Sequence, residues 1–385
     1  MKSIAFCIHL GHSCVCSACA PSITTKRLSR IGRDIDEALA LELAGKGKRA
    51  GNSSFRFMGA FRGQGRAPGS HYCPRRPVMH NPLLEPELKK HAKAALIGVD
   101  WGTSNLRVMR IGADGAILDI RTDKRGAARL AAEDFLGVLR DVAGDWVSDT
   151  QQVLVCGMAG ARGKWRETGY RSCPAGLPDL APVALDDAEA AIAIVPGVSL
   201  SRGSVLVDVM RGEETQVFGL PEGMHSGLVV TPGTHSKWIR FENDRICDFR
   251  TFMTGELFAA VRSGTVLGDE MGEPGADMAA FEEGVQQGMS DRALTAALFA
   301  VRTKRLSGLL SPASTADYLS GLLIGAEIVA QDQALDRPIT LVGPPSLNAR
   351  YTRALNMAGF EDVHEIDASS ATARGLWRIH EAHRA

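Results

Sequence analysis

Residues 99–122, VDWGTSNLRVMRIGADGAILDIRT, and residues 230–251, VTPGTHSKWIRFENDRICDFRT, are the two stretches that decide how this chain folds. In the first, the apolar run from Ala95 to Asp100 reads as a buried strand and Trp101-Gly-Thr-Ser-Asn105 as a turn. Leu106–Ile111 is then a second strand, Asp114-Gly115 a hairpin and Ile117–Arg121 a third strand. In the second stretch the opening Val, the Gly-Thr pair and then Ile, Asp, Arg and Thr of the third strand recur, in a copy two residues shorter. Deleting two residues at the hairpin takes one from each arm and keeps the inward and outward faces, whereas a one-residue slip turns every side chain over. The chain is therefore expected to be α/β, with two homologous lobes that each open with a meander whose first corner is Gly-Thr.

The elements around the two copies alternate as such lobes require. An amphipathic helix is expected near Ala131–Val147, with strands at Gln152–Cys156, Ala191–Val195 and Val205–Val209. Helices are expected at Thr254–Arg262, Met278–Gln287, Arg292–Thr303 and Thr315–Ala334, then a strand at Ile339–Val342 and helices at Ser346–Met357 and Ser370–His380. A cleft between the lobes follows, with the two Gly-Thr turns facing each other across it. Such a pair of turns suits a phosphate: glycine admits close backbone approach, successive N–H groups form an anion-binding concavity, and hydroxyls add donors. Asp100, at the end of the first strand, is placed to hold a hydrated Mg²⁺ that bridges phosphate oxygens.

The composition is that of an ordinary globular protein, 45% hydrophobic and 23% charged over 385 residues, which excludes a wholly disordered or membrane-embedded chain. A net charge of zero conceals an asymmetry. Residues 1–78 carry 13 Lys/Arg against 4 Asp/Glu, leaving 31 against 40 for the remainder. Five of the eight cysteines (Cys7, Cys14, Cys16, Cys19 and Cys73) also lie in this head, beside Gly- and Arg-rich runs without a hydrophobic period. A secretory signal ending in Ala18-Cys19-Ala20, a metal site built on Cys14, Cys16 and Cys19 with His9 or His12, and a basic arm for nucleic acid are the functional alternatives for this head. Residues 1–78 are expected instead to be a disordered or spurious extension, holding at most one short helix in GRDIDEALALELAGKG, with translation starting at Met79.

Other nucleotide signatures are missing. Gly163-Lys164 is followed by Trp165, so there is no phosphate-binding loop of the Walker type, and Gly63-x-Gly65 follows no strand. Cys156, Cys173 and Cys247 have no metal-ligand spacing and read as reduced, mostly buried thiols of a cytoplasmic protein.

The segments Asp100-Trp-Gly-Thr-Ser-Asn-Leu-Arg107, Thr231-Pro-Gly-Thr-His-Ser-Lys237 and Val342-Gly-Pro-Pro-Ser-Leu-Asn348 resemble the two phosphate motifs and the adenosine motif of the sugar kinase, heat-shock cognate and actin superfamily. Within it, MRGEETQVFG (210–219), TPGTHSKW and DFRTFMTGEL (248–257) resemble the 2-dehydro-3-deoxygalactonokinase family, over residues 94–378. The resemblance implies two ribonuclease H-like (actin-like ATPase) lobes, residues 94–225 and 226–385, with a nucleotide cleft between them. It also implies ATP- and Mg²⁺-dependent transfer of a phosphoryl group to the 6-hydroxyl of 2-dehydro-3-deoxy-D-galactonate, in galactonate catabolism.

Carried over residue by residue, it makes Asp100 the metal acid, holding Mg²⁺ through water, and sets Gly102, Thr103, Ser104 and Arg107 on one side of the triphosphate with Gly233 and Thr234 on the other. Gly343, Ser346 and Asn348 would line the adenosine site. The base falls in Gly212-Glu213-Glu214, where Glu stands in place of the superfamily's Asp; Glu213 is favoured over Glu214, the alternative being that both complement a helix dipole. The acceptor's carboxylate needs a cation, for which Arg162, Arg211 and Lys237 are candidates, with Asn105 nearby; His235 could touch phosphate. Closure of the cleft on substrate is expected, and neither a nucleic-acid nor a membrane partner is. The alternatives to this reading are a kinase for a different sugar or sugar acid, and a sugar-responsive regulator without turnover. The regulator should carry a helix-turn-helix in the head and have lost Asp100 or the glutamates, and neither expectation is met.

Overall fold

The computed structural model describes residues 92–149, 152–185, 191–269, 271–275, 277–291, 293–331 and 338–384. The basic head, with its cysteines, its helical fragment and the Met79 boundary, lies outside the described residues. Both meanders form. β1 (Leu96–Trp101), β2 (Leu106–Ile111) and β3 (Ile117–Asp123) pair antiparallel in sequence order. β4 (Gln152–Gly157) then runs parallel to β1, and β8 (Ala191–Ile194) runs parallel to β4, with the two-residue β7 (Val183–Ala184) on the edge. β1 is apolar almost throughout because both of its faces are covered. Ile97, Val99 and Trp101 pack toward α1 (Asp134–Ala143), while Leu96 joins a second cluster on the opposite face. The helix expected over 131–147 is interrupted at Gly144, which takes a left-handed φ of 55°; a short α2 (Trp146–Asp149) follows.

Four strands not foreseen, β5 (Tyr170–Ser172), β6 (Ala175–Gly176), the edge strand β7 and β9 (Gly197–Arg202), lie between β4 and the expected β10 (Val205–Met210). β10, β9 and β5 make a small sheet of their own. A six-residue helix, α3 (Glu213–Phe218), completes this half.

The second sheet repeats the first. β11 (Gly227–Thr231), β12 (Ser236–Glu242) and β13 (Arg245–Phe252) form the meander, and β14 (Ile339–Gly343) and β15 (Val363–Asp367) extend it in parallel from β11. The orders β3-β2-β1-β4-β8 and β13-β12-β11-β14-β15 therefore match strand for strand, the duplicated ribonuclease H-like architecture. Helices α4 (Thr254–Gly264), α5 (Met278–Ser290), α6 (Leu294–Leu306), α7 (Pro312–Val329) and α8 (Pro345–Met357) belong to this half, and α9 (Ala368–His383) ends the chain. Among the described residues no helix is long and apolar enough to cross a membrane.

Two exchanges cross the expected boundary at residue 226. β6, from the first half, pairs with β13, and α9, from the end of the chain, packs on α3 and on β1, β2 and β4. One apolar cluster accordingly joins Leu96, Met109 and Leu154 of the first sheet to Val229, Ile239 and Val342 of the second, with Val217 and Phe218 of α3 and Leu376 and Ile379 of α9 between them.

The two missing residues of the second copy are not both taken from the hairpin, which corrects the expectation. Asp100 faces Arg107 and Thr231 faces Lys237, with six and five residues between the partners. At the second corner Ile111 faces Ile117 and Phe241 faces Ile246, with five and four between. Each corner has lost one residue. The strands keep equivalent partners because the turns absorb the change, and a bulge falls at the matching place in both copies, between Arg110 and Ile111 and between Arg240 and Phe241.

Candidate active site

Asp100 leaves β1 with its carboxylate mostly buried, and Arg107 on the neighbouring strand donates to it from Nη1 at 2.8 Å. The turn that follows is held from behind by backbone. Ala127, Ala128 and Gly126 donate their N–H groups to the carbonyls of Gly102, Thr103 and Ser104, each at 3.0 Å. The Trp101 indole N–H is bonded to the Arg125 carbonyl at 3.1 Å. Trp101, Phe135 and Trp165 pack as an aromatic group with ring centroids 4.7 to 5.7 Å apart, which fixes the loop after β4 against the same turn. A turn restrained in this way does not have to reorganise when an anion arrives.

The ends of β1 and β4 and the start of α3 meet beside Asp100. Gly212, at φ 109°, lies so near Gly157 that a Cβ on it would stand 3.4 Å from the Gly157 Cα. The two carboxylates that follow differ. Glu213 keeps 23% of its side chain exposed, accepts the Arg211 N–H at 3.1 Å, and pairs with Lys237 Nζ at 3.2 Å. Glu214 is wholly buried, and both its oxygens accept the Gly212 N–H, at 2.8 and 2.7 Å. Burial, reinforced by the charge of Glu213, pushes the Glu214 carboxyl up to about 7.

α3 is too short to hold this geometry alone, and α9 braces it. A Cβ on Gly375 would stand 1.8 Å from the Thr215 carbonyl oxygen, and one on Gly219 would stand 1.8 Å from that of Ala371. Arg374 Nε donates to the Gly219 carbonyl at 2.7 Å, and Arg378 Nη1 to those of Phe218 and Leu220 at 2.9 and 2.7 Å, satisfying the end of α3.

The second Gly-Thr turn is backed by a helix instead. Gly255, in the first turn of α4, lies directly on it: a Cβ there would be 2.4 Å from the Gly233 carbonyl oxygen. The Glu256 N–H donates to the Thr234 carbonyl at 2.9 Å, and the Glu256 carboxylate meets His235 Nε2 at 2.5 Å. A Cβ on Gly233 would meet nothing within 4 Å, so the turn itself is open to a ligand. Gly343 abuts this turn, its missing Cβ position 3.3 Å from the Pro232 ring and 2.7 Å from Asn348 Oδ1.

The sequence-predicted residues thus gather in two groups. Asp100, Gly102, Thr103, Ser104, Asn105 and Arg107 stand with Glu213 and Glu214 at the strand ends of the first sheet. Gly233 and Thr234 stand with Gly343, Ser346 and Asn348 on the second. Lys237 on β12 joins the groups through Glu213. Two candidates are committed elsewhere. Arg211 donates to Thr168 Oγ1 at 2.7 Å and the Gly169 carbonyl at 2.8 Å and stacks on Tyr170, holding the loop that contains Arg162. Asn348 is buried, and its amide donates to the carbonyls of Gly343 and Ile366, so it supports the wall of the adenosine segment. Arg162 is exposed and makes no hydrogen bond or ion pair among the described residues. Sequence reasoning missed Gly126–Ala128, Trp165, Arg374 and Arg378, which are distant along the chain from the turns and helix they brace and carry no local motif.

Comparison with known proteins agrees with this arrangement. The family described as 2-keto-3-deoxy-galactonokinase matches residues 100–379. The chain is 39% identical over 300 residues to "Probable 2-dehydro-3-deoxygalactonokinase DgoK1" of Rhizobium meliloti (strain 1021), covering 73% of this chain and 97% of that protein. It is 35% identical over 288 residues to the 2-dehydro-3-deoxygalactonokinase of Escherichia coli (strain K12), covering 74% and 97%. A crystal structure of a Sinorhizobium meliloti protein, provisionally named as the same kinase, superposes with a TM-score of 0.66 at 38% identity, over 74% of this chain and 98% of that one. With a matched family spanning most of the chain and two relatives covered almost end to end, the chain belongs to the 2-keto-3-deoxy-galactonokinase family.

Proposed function

We propose that the site performs the family's reaction, transfer of the γ-phosphoryl group of ATP to the 6-hydroxyl of 2-dehydro-3-deoxy-D-galactonate, with Glu213 as the base. The observation that carries this reading is the pair of contacts beside the two Gly-Thr turns, Asp100 with Arg107 around the first and Glu213 with Lys237, from the strand that follows the second. Phosphoryl transfer needs positioning and charge stabilisation more than covalent chemistry, and one carboxylate to orient the attacking hydroxyl. Glu213 is the carboxylate within reach of a substrate, because Glu214 is sealed behind it with both oxygens on the Gly212 N–H. Lys237 holds Glu213 in place from the opposite lobe.

The turn Gly102–Ser104, with Arg107 beside it, would take the transferred phosphate; the open Gly233-Thr234 turn would take the rest of the triphosphate, and the Gly343–Ser346 segment the adenosine. Arg162, an exposed guanidinium without a partner among the described residues, is the cation for the acceptor's carboxylate. Asp100 fits a hydrated Mg²⁺: it offers a hard oxygen donor, and among the described residues no group of three His, Cys, Asp or Glu side chains forms a closed cage. Bound there with water and phosphate oxygens, the ion would neutralise charge that develops on the phosphates.

The test is a steady-state assay of the full chain with MgATP and either 2-dehydro-3-deoxygalactonate or its gluconate epimer. Turnover of the galactonate form, reduced roughly 10² to 10⁴-fold in kcat by Glu213→Gln, is the expected result. Binding of ATP without turnover of either acid would sink the assignment of the acceptor.

A further inference from the structure

Glu327 lies on α7 at 3% exposure, away from the residues assigned to catalysis. Its carboxylate collects four donors. Ser236 Oγ and Trp238 Nε1 both donate to Oε1 at 2.7 Å, while the Tyr351 hydroxyl donates to Oε2 at 2.9 Å and Thr254 Oγ1 donates to the same oxygen. None of these four partners is a cation. A buried carboxylate held only by neutral donors is an expensive group to keep, since an apolar side chain of similar volume generally packs at lower cost.

The donors come from the three elements that build the nucleotide half of the site. Ser236 closes the second Gly-Thr turn and Trp238 lies two residues along β12. Thr254 opens α4 and precedes Gly255, the residue that backs Gly233. Tyr351 is on α8, one turn beyond the adenosine segment. Apart from this carboxylate, these elements are tied together by the contact between Gly343 and Pro232 and by the Glu256–Thr234 bond. We infer that Glu327 is a positioning residue for ATP: it sets the spacing between the phosphate turn, the helix behind it and the adenosine helix without touching the nucleotide. The inference rests on the kinase reading.

Full-length wild type is compared with Glu327→Leu, Glu327→Gln, Tyr351→Phe and Ser236→Ala. The measurements are KM for ATP, KM for the sugar acid, kcat, calorimetric Kd for ADP, and Tm. Glu327→Leu should raise KM for ATP and Kd for ADP by about tenfold or more, with KM for the sugar acid changed by less than about twofold. Glu327→Gln should stay near wild type, because its oxygen still accepts from Ser236 and Trp238 while the Thr254 and Tyr351 hydroxyls turn to accept from its amide. Tyr351→Phe and Ser236→Ala should move ADP affinity in the same direction by less, and they carry the test if the leucine variant does not fold. Unchanged ADP affinity in the variants that fold, or a parallel loss for ATP and sugar acid together with Tm, would overturn the inference alone. A wild type that binds no ADP would overturn both it and the kinase reading.

Discussion

The two meanders share topology, strand partners and even the position of a bulge, yet they use one equivalent position differently. Where the first copy sets Asp100 opposite Arg107, the second sets Thr231 opposite Lys237. Arg107 is bonded to the acid on its own sheet, whereas Lys237 lacks such a partner on β11 and pairs instead with Glu213 on α3. With threonine in place of the carboxylate, a pair within one half is replaced by a pair between the two. The backing of the two corners has diverged in the same sense. Backbone N–H groups of residues 126–128 hold the first turn, while α4 and the Glu327 network hold the second. On the proposed function, the first lobe would supply charge and chemistry and the second the grip on the nucleotide.

The difference is broken most severely at Asp100. Asp100→Asn should lower kcat by roughly 10² to 10³-fold, since it removes a preorganised charge from the reacting end. Thr231→Val, at the equivalent position, should leave kcat within about threefold. Comparable losses in the two variants would erase the division of labour between the lobes.

The buried carboxylate behind the first corner offers a stability test. Glu214 has an ordinary value of 4.5 and is pushed up to about 7 in the folded protein. Its contribution to stability is therefore fully present below pH 4.5 and is lost as pH rises through 7. Denaturant titrations from pH 4 to 8 should show Glu214→Gln gaining on wild type by about 3 kcal/mol over that window. An ascending limb of kcat/KM centred near pH 7 that vanishes in Glu214→Gln would transfer the role of base from Glu213 to Glu214.

The smallest effect is expected at the pair between lobes. Lys237→Met should destabilise the fold by about 2 kcal/mol, below the cost of breaking a fully buried pair because Glu213 remains partly open to water. Melting of Lys237→Met, Glu213→Gln and the double variant would measure the coupling, and additive shifts would show that the pair does not link the lobes.

The strands of both meanders and most helices were legible because buried strands and amphipathic helices impose their own periods on local sequence. β6 and β15 were not. Ala175-Gly176 is too short to show a period, and Val363–Asp367, at the edge of its sheet, has only two apolar residues, three apart, and so lacks the two-residue period of a strand. Among site residues, the Gly-Thr turns announced themselves because the duplication repeats them, and Asp100 because it ends the strand that leads into the first of them. Arg211 could not be separated from Arg162 by sequence, since only the fold shows one spent on Thr168 and Gly169 and the other exposed.

Taken by itself, the sequence determined the duplication, the two Gly-Thr corners and the pair of carboxylates at the start of α3, all of which lie within short contiguous segments whose local physics is sufficient to read them. Tertiary structure decided which carboxylate stays partly exposed and which is sealed, which cation pairs with it from the other sheet, and which remote residues brace the turns. Those outcomes depend on burial and on contacts between residues far apart in the chain, such as Gly375 against Thr215 and Glu327 against Ser236, and neither composition nor spacing encodes them.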